Sequence, residues 1–499
     1  MAIIKKYISK YKYQLFCLMV SFSMLLFTSK NSFLYTFNDW CDANAFFTVG
    51  KSIIHGLVPY KDLFEQKGPL LYFIYSFGYL ISQKTFYGIF IIEILFFSIY
   101  LYYNHKIIKY FLEEKYSFII LPILTLIITT SPSFVQGGSC EEFCLPFFSI
   151  SLYYFIKHFI MNELTKKEII GNGIIAGVIL LTKYTLLGFW VGFVLLIFID
   201  LIQKKEGKNI IIFSIDFLLG FMIPIIVLII YFYMVGGLSD FIWNYFIINI
   251  TAYGPSIITL QNILYTCWYL LCNSGLLFYL GIILTPALIF SIKNINKNLK
   301  INVLSLFLIT LFFITVSLKT YIYYILPISI FLPISIIGFI FLINKNTCQI
   351  KKYIYIIIYI MCIIIGAHNA NYKEDILKPK EKIFQYKYAN YINKFKKPTL
   401  LNMGYLDVGV YTLSNIIPST KYFEQQNISY ERFKDNIDEL NKYATNKKIK
   451  FIVYCTDIDN KTIPKSITNN YNLVYEDKYI YEKQKLYARL YQLKELSLK

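Results

Sequence analysis

Residues 38–71 read NDWCDANAFFTVGKSIIHGLVPYKDLFEQKGPLL. The stretch follows a first hydrophobic segment and carries Asp39, Asp42, Lys51, Lys61, Asp62, Glu65 and Lys67 in a chain otherwise poor in charge. Between Asp42 and the turn His55-Gly56-Leu57-Val58-Pro59, the residues Phe46, Phe47, Gly50, Ile53 and Ile54 recur at helical spacing. Asn44, Lys51 and Ser52 supply a more polar side. The pattern predicts a helix from Ala43 to Ile54 lying along a membrane surface just after a carboxylate.

The surrounding chain supports a membrane setting. Of its 499 residues 57% are hydrophobic, and mean hydropathy is +0.52, which is too apolar for one soluble core. Runs long enough to cross a bilayer, about 20 residues each, recur from Tyr13 to about Ile365. From about Ala367 to Lys499 the composition turns polar and rich in Lys, Asp and Asn. The division expected is a transmembrane domain over 1–366, with its first outer loop at about 30–84, and a soluble domain over 367–499.

The net charge of +19 does not call for a nucleic-acid partner. Much of the lysine lies in short loops between apolar runs, where the positive-inside rule places it, and the soluble domain carries much of the rest. Arg432 and Arg489 are the only arginines. The nine cysteines are scattered, and Cys140-x-x-x-Cys144 lacks the second pair of a zinc site. His55, His105, His158 and His368 show no metal-ligand spacing. Neither G-x-x-x-x-G-K-[ST] nor G-x-G-x-x-G occurs, so the sequence carries no nucleotide-binding signature.

The N-terminal run MAIIKKYISKYKY has no small-residue cleavage site after its apolar segment, so it reads as an uncleaved first span with a cytoplasmic start. Gly68–Ser82 is short for a span and reads as a helix half-buried in the outer leaflet. With that choice the lysine-rich loops alternate consistently with the rest. The expectation is mainly α: a polytopic transmembrane helical bundle of about 11 spans, with a small extracytoplasmic α/β domain at the C-terminus. Within that domain the pattern predicts helices near Glu381–Lys396 and Tyr430–Thr445 and strands at Thr399–Met403, Lys450–Tyr454 and Leu473–Tyr479. No inverted repeat of hydropathy is visible, which disfavours a transporter.

On this topology acidic groups gather at the outer face: Asp42, and the pair Glu141-Glu142 opening the span at Phe143. Adjacent carboxylates at an apolar boundary are offset by a cation, a proton or a donor, or simply cap a helix N-terminus. Lys183 and Lys319 each sit at the outer end of a span, against the positive-inside trend. They either snorkel to the interface or meet a phosphate at headgroup level.

The residues Asp42-Ala-Asn-Ala-Phe-Phe, Gly50-Lys51, His55-Gly56, Pro59-Tyr60, Asp62 and Lys67-Gly68-Pro69-Leu70 resemble the first outer loop of polytopic GT-C glycosyltransferases. These are the protein-O-mannosyltransferase and aminoarabinose-transferase relatives that use polyprenyl-phosphate sugars. Gly137–Glu142 and Lys319–Pro327 extend the likeness. Many relatives carry Asp-Glu where this chain has Asp42-Ala43.

The resemblance implies a cell-membrane glycosyltransferase that moves a sugar from a polyprenyl-phosphate donor to an extracytoplasmic acceptor. Asp42 would be the general base, with Asp39 the rival. Lys319 or Lys183 would meet the donor phosphate. Glu141, Glu142, Asp62, Tyr60 and Lys67 would orient donor or acceptor, and Glu141 and Glu142 could alternatively hold a divalent cation; no other cofactor is implied. The competing class is a flippase or transporter of lipid-linked glycans. That class calls for ionisable groups in mid-span, whereas the candidate charges here lie at one face. A polymerase or ligase of lipid-linked glycans remains the nearer alternative.

Overall fold

The computed structural model describes residues 10–255, 257–293, 295–343, 351–458, 462–482 and 484–496, with the backbone alone at 352. The chain divides into two compact units. The first comprises Met1–Ser32, Phe90–Leu228 and Pro255–Lys373; the second comprises Phe33–Ile89, Ile229–Gly254 and Glu374–Lys499. Phe33–Ile89 thus groups with the C-terminal residues.

The first unit is helical. Among the described residues of the whole chain, six helical segments are long and apolar enough to cross a membrane: Tyr87–Phe111, Cys140–Met161, Lys166–Gln203, Gly207–Met234, Lys297–Thr315 and Ile322–Ile343. Lys12–Thr28, Pro69–Ile81 and Tyr353–His368 are shorter apolar helices. Lys166–Gln203 runs through a 3-10 turn at Tyr184–Leu187. In Gly207–Met234 only 17% of the apolar window is buried, so this helix offers its side chains to lipid. It packs closely on Lys166–Lys183 through small residues. A Cβ on Gly173 would come within 2.1 Å of the Phe217 carbonyl, and one on Gly220 equally close to that of Ile170.

The second unit holds a four-stranded sheet in the order β1-β2-β4-β3, with β1 Leu400–Met403, β2 Phe451–Asp457, β3 Tyr471–Tyr481 and β4 Gln484–Leu493. β1 and β2 are parallel, Leu400 facing Phe451, while β4 runs antiparallel to both β2 and β3. One face packs on the helix Lys434–Thr445, whose Leu440 and Ala444 join Leu401, Met403, Ile452 and Tyr491 in a buried cluster. The other is covered by the helix Phe384–Ile392, where the Tyr388 hydroxyl donates to the Ala488 carbonyl at 2.6 Å. Coverage on both faces explains why β1 and β2 are buried along nearly their whole length and do not alternate.

The helix at Cys41–Ile54 forms where the spacing predicts it, but its surroundings differ from the expectation. Asn44, Lys51 and Ser52 are fully buried, so they are not a wet side along a membrane. Asn44 accepts from the Thr412 hydroxyl at 2.7 Å, Thr48 donates to Asp407 at 2.7 Å, and Lys51 donates to the Tyr411 carbonyl at 2.7 Å. Positions 44, 48 and 51 share one helical face, and that face is docked on the loop after β1. Pro69–Ile81 spans 13 residues, about 20 Å, short of the hydrocarbon core; Tyr72, Tyr75 and Tyr79 are buried while Phe77, Leu80 and Ile81 are exposed.

Candidate active site

In the first unit, Ser133–Glu142 builds a reversal and a helix start. Gly137 and Gly138 both take positive φ, 89° and 78°, which lets the backbone turn sharply before Ser139. The Ser139 hydroxyl caps the helix Cys140–Met161 by accepting from the Glu142 N–H at 3.0 Å. Glu141 and Glu142 therefore stand in the first turn, where the helix dipole favours negative charge.

The two carboxylates then part company. Glu142 Oε2 accepts from the Gly138 N–H at 2.8 Å, and its side chain meets that of Glu93, a residue no sequence signal singles out. Glu93 in turn accepts from the Ser29 hydroxyl at 2.9 Å. Glu93 and Glu142 thus set two carboxyl groups side by side, both buried. Glu141 pairs instead with the Lys183 ammonium, both side chains being almost fully withdrawn from solvent. That ammonium also lies 3.3 Å from the centre of the Tyr324 ring and 5.7 Å from that of Tyr323.

Three stretches far apart in sequence thus meet in one place: Gly137–Glu142, Lys183 and the aromatic segment after Lys319. Lys319 itself is half-buried between the helix Lys297–Thr315 and the 3-10 run Ile322–Phe331. Tyr321, Tyr323 and Tyr324 form a mutual ring cluster with centres 5.1–5.8 Å apart. The second oxygens, Glu141 Oε2 and Glu142 Oε1, have no hydrogen-bond partner among the described residues.

These donors do not suit a divalent cation. One carboxylate is already neutralised by an ammonium and the other faces a carboxyl, whereas a hard cation asks for about six oxygen ligands. Among the described residues no group of three or more His, Cys, Asp or Glu is placed to hold a metal ion.

In the second unit, Asp42 is half-buried in the first turn of the Cys41–Ile54 helix. Asp39 lies one turn earlier, also half-buried. Glu482, exposed at the turn between β3 and β4, feels both: partial desolvation, then Asp42, then Asp39, push its carboxyl up to about 7. A third carboxylate thus reaches this corner from more than 400 residues away in the chain (Cys41 to Tyr481 spans 440). The Tyr481 hydroxyl accepts from the Cys41 N–H at 3.2 Å, holding that turn against the helix start.

Tyr60 and Asp62 are placed as builders of the loop. Asp62 accepts from the Val58 N–H at 2.7 Å, closing the turn. Tyr60 has a φ of 68°, is fully buried, and donates its hydroxyl to the Lys67 carbonyl at 2.6 Å. The half-buried Lys67 puts its ammonium 5.7 Å from the centre of the Phe46 ring. Its N–H donates to Glu65, which also accepts from the Tyr72 hydroxyl.

Under the helix lies a polar network that no sequence motif announces. Asp407 accepts from Thr48, from Asn402 at 3.1 Å and from the Gly409 N–H at 2.8 Å, and its own N–H donates to Glu424 at 2.6 Å. Burial raises both carboxyls, Glu424 well above the usual range with Asp407 adding to it. Burial lowers the Lys51 ammonium to about 7, against the pull of Asp407.

Solved structures share this fold. No family model matches the sequence, and no curated protein matches it. Among solved structures, ArnT from Cupriavidus metallidurans in the apo state is similar with a TM-score of 0.62 at 12% identity, over 98% of this chain and 98% of that one. The same protein bound to undecaprenyl phosphate gives 0.60 at 11% identity, over 96% and 97%. At such identity the likeness speaks for the fold.

Proposed function

We propose that this chain is an integral-membrane glycosyltransferase that takes a sugar from a polyprenyl-phosphate donor and places it on an acceptor hydroxyl outside the membrane. The observation that carries the reading is the buried ammonium of Lys183, held by Glu141 against the Tyr323 and Tyr324 rings, in a fold whose ArnT representative binds undecaprenyl phosphate. A lysine in that apolar, aromatic setting suits a lipid-linked phosphate better than a free ion in water.

Asp42 is the general base of this proposal. Its carboxylate takes the acceptor O–H proton as the acceptor oxygen bonds to the anomeric carbon. The bond from that carbon to the phosphate oxygen breaks on the opposite face. The phosphate leaves with added negative charge, so the step needs a nearby cation more than a strong acid. Lys183 or Lys319 supplies it, and Glu141 keeps Lys183 oriented between turnovers.

The same reading has about 11 spans, residues 1–366 as the membrane domain, and 367–499 outside the membrane, on the side where the acceptor is glycosylated. Asp42→Asn in purified, folded protein should abolish transfer from a polyprenyl-phosphate sugar while donor binding persists. Transfer at the wild-type rate by that variant would remove Asp42 as base. The absence of transfer from every such donor by the wild-type chain would remove the enzyme itself.

A further inference from the structure

The second unit carries a cleft of about 280 Å³ that the mechanism above does not use. It opens past the carboxyl ends of the two parallel strands, β1 at Met403–Gly404 and β2 at Thr456–Asp457. In open α/β sheets this is the end where loops diverge and ligands collect. Gly404 is required there: its φ is 80°, and a Cβ would stand 2.1 Å from the Cys455 carbonyl.

The lining decides the ligand chemistry. Gln425, Asn441 and Gln484 contribute planar amides, Asp457 a carboxylate, and Tyr405 and Tyr454 rings. Among the described residues no lysine or arginine lines the cleft, in a chain with 49 of them. Arg489 lies near but is committed, to Glu476 at 2.7 Å and to the Thr456 hydroxyl at 3.2 Å. Among the described residues an anionic ligand would meet Asp457 with no compensating cation, and an apolar ligand would strand the amides.

The polar groups are also available. The Gly404 N–H donates to Gln425 Oε1 at 2.9 Å, which fixes that amide and leaves its NH2 directed elsewhere. Among the described residues the Gln425 NH2, the Gln484 amide and the Asp457 carboxylate have no hydrogen-bond partner. Amides and a carboxylate together offer donors and acceptors in fixed planes, which match vicinal hydroxyls. The half-buried Tyr405 ring offers a flat apolar face for the C–H side of a sugar ring. We infer that this cleft binds a neutral saccharide.

Its position suggests what the saccharide is for. The Tyr405 ring stands 5.8 Å from that of Tyr481, edge to face, and Tyr481 is the residue tied to the Cys41 N–H beside Asp42. A saccharide in the cleft would therefore sit next to the turn that adjoins the Asp42 carboxylate, as the acceptor glycan. That acceptor role rests on the glycosyltransferase reading; binding in the cleft does not.

The test uses the full chain in nanodiscs and saturation-transfer NMR, with cellobiose, maltotriose and diacetylchitobiose as probes and glucose 6-phosphate and trialanine as comparators. At least one neutral oligosaccharide should receive saturation, and the phosphorylated sugar and the peptide should not. Asp457→Ala and Gln484→Ala change exposed side chains and should each weaken binding about tenfold, with the melting temperature unchanged. Saturation of no neutral probe, saturation of the phosphosugar or peptide alone, or undiminished binding by both cleft variants would overturn the assignment. Saccharide binding without transfer from any lipid-linked donor would leave the cleft standing and sink the enzyme reading instead.

Discussion

The Thr48 hydroxyl donates to Asp407 Oδ2 at 2.7 Å, joining residues 359 apart in sequence. Thr48 sits mid-helix between Asn44 and Lys51, so three successive turns of the helix bearing Asp42 are bound to one loop of the sheet domain. Thr48→Val keeps the shape and removes the donor. It leaves a buried carboxyl with one partner fewer, at a cost of about 1–3 kcal/mol. A lower melting temperature is expected, together with reduced transfer because the seat of Asp42 is loosened. An unchanged melt would mean the hydrogen bond is dispensable.

Lys51 should give the second unit a stability that rises on the alkaline side. Its ordinary value is 10.5, and burial brings it to about 7 in the folded chain. Between those values the unfolded chain binds the extra proton, so its contribution is full above about pH 10.5 and is lost as pH falls towards 7. Lys51→Met, which cannot titrate, should flatten this part of the profile. Melting temperatures measured from pH 7 to 10 for both chains decide it; parallel curves would refute the assignment.

The Glu141–Lys183 pair separates stability from donor use. Lys183→Ala strands a buried carboxylate, which costs about 3–5 kcal/mol. The pair Glu141→Gln with Lys183→Met removes both charges and should recover most of that loss. Donor use should not return, because the cation is still absent. A double variant with a wild-type KM for the lipid-linked sugar would take Lys183 out of phosphate binding and leave Lys319 as the candidate.

Local patterns are readable in the sequence; pairings across the chain are not. The helix at Cys41–Ile54 and the strands near Thr399–Met403 and Lys450–Tyr454 follow from spacing alone. β4 escapes because Gln-Lys-Leu-Tyr-Ala-Arg-Leu-Tyr-Gln-Leu is also a good helix pattern, and only its neighbours β2 and β3 settle it as a strand. The polar side of Cys41–Ile54 looks wet in sequence because its partners Asp407, Tyr411 and Thr412 lie some 360 residues away. Glu93 stands inside a continuous apolar run with no motif around it, and only packing reveals Glu142 and Ser29 beside it. The same holds for Glu482, a turn residue until folding brings it to Asp39 and Asp42.

Gly137 offers a sharp test of how the Glu141 helix is set. Its φ of 89° suits glycine, and a Cβ there would lie 2.3 Å from the Ser29 hydroxyl and 2.5 Å from Glu93 Oε1. Both neighbours are hydrogen-bonded to each other, so neither can move without breaking the contact that steadies Glu142. Gly137→Ala should therefore destabilise by more than about 1 kcal/mol and lower transfer by displacing the first turn of the Cys140–Met161 helix. Gly171→Ala is the control: that glycine is helical with nothing within 4 Å of where a methyl group would stand, and alanine there should be neutral or stabilise by about 0.5–1 kcal/mol. Thermal melts and transfer rates of the two variants, measured side by side, should diverge. Equal behaviour would show that the turn before Ser139 tolerates a side chain and that the carboxylates do not depend on it.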